Sequence, residues 1–410
     1  MERIISLFGL VVMLALALLL SENRRRVDWR LVGIAVALQF ALALVVLRTV
    51  AGEQFFVVVR AAFVFLNQAS DEGARFLFGN LTRAFTLSPG AVVDVDGPLF
   101  INGVVAFSVL PTVVAVSAIA AVLYHWRVIP VLVRSSAWLM QRTLRTSGPE
   151  TFATAMLVFL GIESMAAIKT YLRAMTRSEL LTVMTAFMST VAASVSLIYA
   201  RFGAEPGHVL AASIMSAPAA ILIAKILVPE TESVAHAEIA EDGGAHNTLD
   251  AATQGASEGV TLALTIGGVL IAFISLVFIV NAGCSWAFGI SFTDIMGYAF
   301  WPFAWVMGVP AEDVGKVAQL LGTKTVLNEF LAYADMGALI ADGGLQPRSI
   351  TIATYALCGF ANPGSLGILI AGLAALAPGR RKEISELGLK SLIGGTLAVF
   401  TTACIAGILA

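Results

Sequence analysis

Residues 354–365 read Thr354-Tyr355-Ala356-Leu357-Cys358-Gly359-Phe360-Ala361-Asn362-Pro363-Gly364-Ser365, within an apolar span near 349–377. Pro363 removes a backbone donor and Gly364 loosens the same turn, so a helix entering this stretch unwinds there. At bilayer depth, non-helical backbone is tolerated only where it is buried in protein or lines a cavity. Asn362 and Ser365 add an amide and a hydroxyl at the unwound turn. With an acid nearby, these groups make a grip for a neutral, polyhydroxylated solute, and such a site rejects analogues that lack the hydroxyls.

Working outward, segment 313–335 is apolar but contains Leu321-Gly322 and then Asn328-Glu329. A charged residue at bilayer depth costs about 2.5–3.5 kcal/mol on insertion scales, which makes an acid there a functional candidate. The first half of the chain repeats the pattern. Leu160-Gly161-Ile162-Glu163 lies in segment 150–168, and the span near 179–200 is interrupted by Thr185, Ser189 and Thr190. Paired broken segments in corresponding positions point to a midplane site between inverted repeats. Each reading has a plainer rival. Lys169 and Lys324 can hold Glu163 and Glu329 in structural ion pairs, Asn362 can satisfy its own kink, and Phe360 can simply pack. The run Ser189-Thr190-Val191 either offers oxygens to a cation or bonds back to its own helix.

Composition sets the class. Of 410 residues, 58% are hydrophobic and 13% charged, against roughly 25% charged in soluble domains. Further apolar spans fall near 4–20, 31–47, 101–124, 208–228, 259–281 and 389–409, each of about the length that crosses a hydrocarbon core. The expectation is an all-α polytopic membrane protein with about eight transmembrane helices plus two re-entrant helical hairpins. Lys and Arg cluster at 24–30, 127–145, 169–177 and 380–390. All four clusters face the cytoplasm only if the N-terminus lies outside and the two Glu-bearing segments do not cross. Arg24, Arg25 and Arg26 follow the first span with no small-x-small cleavage site, as beside a retained helix. Between 127 and 145, arginines alternate with Val, Leu, Trp and Met, the pattern of an interfacial amphipathic helix.

Segment 229–258 holds seven acidic residues and no Lys or Arg, and reads as a cytoplasmic linker. A net charge of −2 gives no reason to expect nucleic acid as a partner. Cys284, Cys358 and Cys404 show no metal spacing, and the four histidines fall outside the apolar cores, so neither zinc nor a histidine relay is expected. Gly255-Ala256-Ser257-Glu258-Gly259 fits GxSxG without a preceding strand. No catalytic constellation appears, so the chain is not read as an enzyme.

These residues resemble the concentrative nucleoside transporters. The resemblance rests on Gly322-Thr323-Lys324-Thr325-Val326-Leu327-Asn328-Glu329-Phe330, on Ala353 to Asn362, and on Gly364-Ser365-Leu366-Gly367. Met215-Ser216-Ala217-Pro218, Pro229-Glu230-Thr231-Glu232 and Phe107-Ser108-Val109-Leu110-Pro111 support it. It implies three peripheral N-terminal helices, an amphipathic helix, and a transport core of two hairpins with discontinuous helices, assembled as a homotrimer. It assigns the ribose to Glu329, Asn362 and Ser365, with Phe360 lining the site. The tip of the first hairpin, Gly161-Ile162-Glu163, addresses the base. A sodium ion would involve Thr190, the Val191 carbonyl and Ser189.

Two departures stand out. The family tip reads Gly-Gln-Thr/Ser-Glu, whereas this chain has Gly161-Ile162-Glu163-Ser164. Where the family usually has a sodium-liganding Asn, this chain has Leu157, which offers no oxygen to a hard cation. The resulting expectation is an ion-coupled nucleoside symporter of a plasma membrane (a prokaryotic inner membrane), coupled to Na+ or H+ and needing no cofactor. The alternatives are the same fold carrying a nucleobase or another polar metabolite, or an uncoupled facilitator. The expected divisions are scaffold helices over 1–125, the amphipathic helix over 126–148, a first core repeat over 149–228 and the linker over 229–258. A scaffold helix, the second core repeat and a last helix fill 259–410.

Overall fold

The structure is a computed structural model that describes residues 1–79, 86–88, 91–92, 105–108, 110–161, 168–169, 171–232 and 245–410. The chain opens with helices α1 (Glu2–Leu19), α2 (Trp29–Arg48) and α3 (Val50–Phe78). Asp28 starts α2 by accepting the Arg30 and Leu31 N–H groups, and Thr49 starts α3 by accepting that of Gly52. A two-stranded antiparallel ribbon, β1 (Thr86–Ser88) with β2 (Ala91–Val92), and a short α4 (Val105–Ser108) lead into α5 (Leu110–His125). A sharp bend of 73° follows into α6 (Val128–Leu144). The α6 face formed by Ile129, Val133, Ala137, Met140 and Leu144 is buried, while Arg134 and Arg142 are exposed. That spacing of three and four residues is one helical stripe.

The core begins with α7 (Gly148–Leu160), α8 (Arg177–Ser189), α9 (Ala193–Arg201) and α10 (Pro206–Leu227). Capping boxes open α7 (Ser147 with Glu150) and α8 (Thr176 with Glu179), each satisfying two otherwise orphan N–H groups. Then come α11 (Thr248–Phe288), α12 (Phe292–Val306), α13 (Val314–Val326), α14 (Glu329–Ala341), α15 (Pro347–Leu357), α16 (Pro363–Leu376) and α17 (Arg381–Leu409). Burial separates two kinds of long helix. In the most apolar window of α10, 89% of residues are buried, against 6% in α11. Small residues on α10 (Ala211, Ala212, Ser213, Ala217, Ala219 and Ala220) let α8 and α17 approach closely. Helix α11 instead shows Leu264, Ile271, Phe278 and Phe288 on its outer face.

Among the described residues, six helices are long and apolar enough to cross a membrane, or seven if the bent pair α5–α6 counts as one span. Two expected spans, 179–200 and 349–377, are each split in two, into α8 with α9 and α15 with α16. Helix α3 falls outside the expected apolar spans because it carries Glu53, Arg60, Asp71, Glu72 and Arg75 along its length.

Of the expected linker 229–258, residues 233–244 lie outside the described residues, and its last part is helical. Asn247 caps α11 by accepting the Asp250 N–H, so residues 248–258, read as linker, are the first three turns of the longest helix. Gly255 and Gly259 lie one turn apart against α5. A Cβ at Gly255 would come 2.6 Å from that of Ala121, and one at Gly259 would come 2.7 Å from Val114 Cα. The GxSxG match is therefore a helix-packing stripe.

Candidate functional site

Helices α13 and α14 form a hairpin. At 13 residues each they are about 20 Å long, too short for a hydrocarbon core of about 30 Å. The chain reverses at Leu327-Asn328, and the Asn328 side chain caps α14 by accepting the Leu331 N–H at 3.0 Å. Glu329 is the first residue of α14, where the helix dipole favours a carboxylate. The base of the hairpin is pinned by Asp313. Burial raises its carboxyl pKa, but the Gln346 N–H (2.9 Å), the Ser349 hydroxyl (2.6 Å) and Lys316 outweigh burial and hold it below the ordinary range.

The hairpin tip faces the break between α15 and α16. Gly359 in that break has φ +153°, and a Cβ there would lie 2.8 Å from the Met188 carbonyl at the end of α8. The two helix breaks therefore pack against each other, and glycine is what permits it. Asn362 caps α16 by accepting the Ser365 N–H at 2.9 Å. Helix α9 starts after Ala192 with no side-chain cap, and the Val195 and Ser196 N–H groups both return to the Ala192 carbonyl at 3.0 Å. The N-termini of α9, α14 and α16 thus all meet one cavity, which is lined by Ala192, Asn328, Glu329, Asn362 and Ser365. Converging helix N-termini are a ready acceptor for oxygen-rich groups.

Glu329 is held on both oxygens: the Tyr199 hydroxyl donates to Oε1 and the Asn362 amide to Oε2, each at 3.0 Å. Tyr199 is itself fixed by stacking on Tyr333, with centroids 4.3 Å apart and planes at 13°. The ion-pair rival for Glu329 is not realised. Lys324 donates to the Ala356 carbonyl at 2.8 Å, and among the described residues it makes no ion pair with Glu329. The cavity measures about 440 Å³, and Glu329, Asn362, Ser365 and Phe360 all line it. Phe360 lies 5.8 Å from the ring of Phe187, so it packs on one face and borders the cavity with another.

Other expected positions fall differently. Gly161 terminates α7 with φ +62°, while Ile162 and Glu163 lie outside the described residues. Ser189, Thr190 and Val191 sit at the α8–α9 break, all buried. The Thr190 hydroxyl donates to the Ala186 carbonyl at 2.7 Å and that of Ser189 to the same oxygen at 3.4 Å. The Val191 carbonyl accepts from Ser213 at 2.8 Å. The hydroxyl protons are spent on the helix and the oxygen lone pairs remain, which is the donor set a hard cation uses. Among the described residues no group of three His, Cys, Asp or Glu side chains could hold a metal ion.

Sequence reasoning missed two parts of the site. Tyr199 carried no motif, since its role depends on the fold bringing α9 beside α14. Ser257, Glu258, Thr261 and Thr265 of α11 form the opposite wall of the cavity. Their spacing of three and four residues was the available signal, hidden by the assignment of Ser257 and Glu258 to a linker. His208, expected outside the core, is half-buried between Phe56 and Tyr355.

Residues 208–407 match the family described as Na+ dependent nucleoside transporter C-terminus, and residues 8–81 its N-terminus. Residues 106–206 match a nucleoside recognition (Gate) domain. Over 98% of its length the chain is 37% identical to the uncharacterized transporter YutK of Bacillus subtilis, covering 98% of that protein. The chain belongs to the concentrative nucleoside transporter family.

This transporter is 41% identical to mouse solute carrier family 28 member 3 over all of its own length, and it spans 59% of that relative. Its fold matches CNTnw in an inward-facing, substrate-bound state with a TM-score of 0.90 at 34% identity, covering 99% of this chain and 98% of that one. A variant of the same protein in an outward-facing state gives 0.91 at 33% identity, covering 100% and 99%. The two scores are nearly equal, so the likeness is one of architecture rather than of a single conformation. The fold is thus the helical fold of these membrane transporters, with one short two-stranded ribbon among the described residues.

Proposed function

We propose that this transporter takes up nucleosides by ion-coupled symport through alternating access. The observation that carries the reading is the buried Glu329 carboxylate, oriented by Tyr199 and Asn362 at the edge of a cavity where three helix N-termini meet. Glu329, Asn362 and Ser365 would hold the sugar hydroxyls, Phe360 would border the ring, and Gly161, Ile162 and Glu163 would face the base. The core from α7 to α10 and from α13 to α16 would move against α1–α3, α5, α6 and α11. The exposed outer face of α11 suits lipid or further copies of the chain in a homotrimer. The proposed setting is a prokaryotic inner membrane with the N-terminus outside.

Sodium is the coupling ion this reading assigns, supported by the family description and the oxygens of Ser189, Thr190 and Val191. Leu157 is wholly buried and adds no ligand, so the sodium site is weak. Protonation of Glu163 or Glu329 is the competing coupling event. A nucleobase as cargo is the second reading, favoured by Ile162 in place of the polar pair that precedes the acid in the family.

Uptake of radiolabelled uridine into proteoliposomes tests all three. An inward sodium gradient should accumulate uridine above equilibrium, and replacement of sodium by choline should abolish this. Accumulation driven only by a proton gradient would reassign the ion, and flux without accumulation would make the protein a facilitator. Competition by nucleosides but not by free bases is expected; the reverse pattern would transfer the cargo to nucleobases.

A further inference from the structure

A second pocket of about 220 Å³ lies apart from the solute cavity, between the start of α2, the end of α6, the start of α7 and the end of α10. Pockets for drug-sized molecules run about 300–1,000 Å³, so this one suits a compact group. Every anion on its wall is already engaged. Asp28 accepts the Arg30 and Leu31 N–H groups at 2.9 and 3.2 Å. Glu150 and Glu230 hold Lys225 at 2.9 and 3.1 Å, while Glu150 also accepts the Ser147 N–H and Glu230 the Thr176 hydroxyl.

The cations are in a different position. Arg26, Arg30 and Arg145 line the same pocket, and among the described residues none of the three makes an ion pair. Three free guanidinium groups around one concavity fit a phosphate, which guanidinium binds through paired N–H donors. The rest of the wall includes Leu31, Ile34 and Leu144. Ile34 and Leu38 follow Arg30 at intervals of four, so a half-buried apolar stripe climbs α2 from the guanidinium toward bilayer depth. Trp29 and Trp138, each 60% exposed, stand at this end of α2 and on α6, as aromatic side chains do at a membrane–water interface. A soluble phosphate makes no use of the stripe, whereas a lipid does.

We propose that this pocket binds the phosphate headgroup of an anionic glycerophospholipid, with Arg26, Arg30 and Arg145 on the phosphate and an acyl chain along Ile34 and Leu38. The bound lipid bridges the peripheral helices α2 and α6 and the core helices α7 and α10. The site is separate from solute binding and stands whatever the cargo proves to be.

The test is the thermal unfolding midpoint of the full chain in neutral detergent, titrated with phosphatidylglycerol, phosphatidylcholine or inorganic phosphate. Phosphatidylglycerol alone should raise it. The half-saturating concentration should rise about 100-fold in the Arg26→Gln/Arg30→Gln/Arg145→Gln variant and about fivefold in each single variant. The single variants keep the test alive should the triple fail to fold. Arg25→Gln, an exposed arginine of the same cluster that does not line the pocket, should behave as wild type. No response to phosphatidylglycerol, an equal response in the triple variant, or an equal loss in Arg25→Gln would overturn the site. A matching rise with inorganic phosphate would make the ligand a soluble anion and overturn the lipid assignment.

Discussion

Replacing Tyr199 by Phe deletes one oxygen from the site and leaves the ring, with its stack on Tyr333 at 4.3 Å, in place. The lost bond is the 3.0 Å donation to Glu329 Oε1. A hydrogen bond to a charged group contributes about 1.5–3 kcal/mol net. Only part of that appears in solute binding, because Asn362 still holds Oε2. The carboxylate can then turn about the remaining bond, and ordering it again on binding costs about 1.4 kcal/mol, or tenfold in affinity. Initial rates of radiolabelled uridine uptake in proteoliposomes should therefore show KM raised about tenfold, with normal reconstitution and an unfolding midpoint lowered by the loss of this buried bond. A KM within about twofold of wild type, in normally folded protein, would refute the claim that Tyr199 orients the acid.

Three further substitutions probe the surrounding structure. Gly359→Ala places a Cβ 2.8 Å from the Met188 carbonyl in a backbone of φ +153°, a strain of about 1–3 kcal/mol; the unfolding midpoint should fall while the order of competing nucleosides stays the same, and an unchanged midpoint would contradict the packing of the two breaks. Leu157→Asn restores an oxygen at the position where the family binds sodium, so the half-saturating sodium concentration for uridine uptake should fall several-fold; a destabilised protein with unaltered sodium dependence would separate Leu157 from the ion. Glu22 lies between α1 and α2, where burial raises its pKa but hydrogen bonds from Lys390 and Arg177 outweigh this and lower it below the ordinary 4.5. A depressed carboxyl adds stability above its ordinary pKa that is lost as pH falls through the lower folded value, so wild type should exceed Glu22→Gln in midpoint at neutral pH and converge with it below about pH 4.5. A constant gap across that range would exclude the ionised pair as its source.

How much of this was legible follows from how local each signal is. The break at Asn362-Pro363-Gly364 is written in backbone chemistry, and so is the turn before Glu329, so the second repeat was placed to within a few residues. The hairpin expected over 313–335 runs six residues further, to Ala341, because Asp335, where the expected segment stops, sits inside α14 and not at its end. Helix α3 escaped because its hydropathy is diluted by five charges. The start of α11 escaped for a related reason: small and polar residues that line a cavity and pack on α5 have the composition of a linker. Tyr199 was invisible because its partner lies 130 positions away, and sequence spacing carries no information about such a meeting.

The central claim is that the Glu329 carboxylate grips the solute rather than merely holding the fold together. Uridine uptake by Glu329→Gln measures it most directly, since Gln keeps the size of the side chain and an oxygen for one of the two donors. The account predicts normal membrane insertion and an unchanged unfolding midpoint, with uptake reduced to background. Uptake at the wild-type rate by that variant would contradict it.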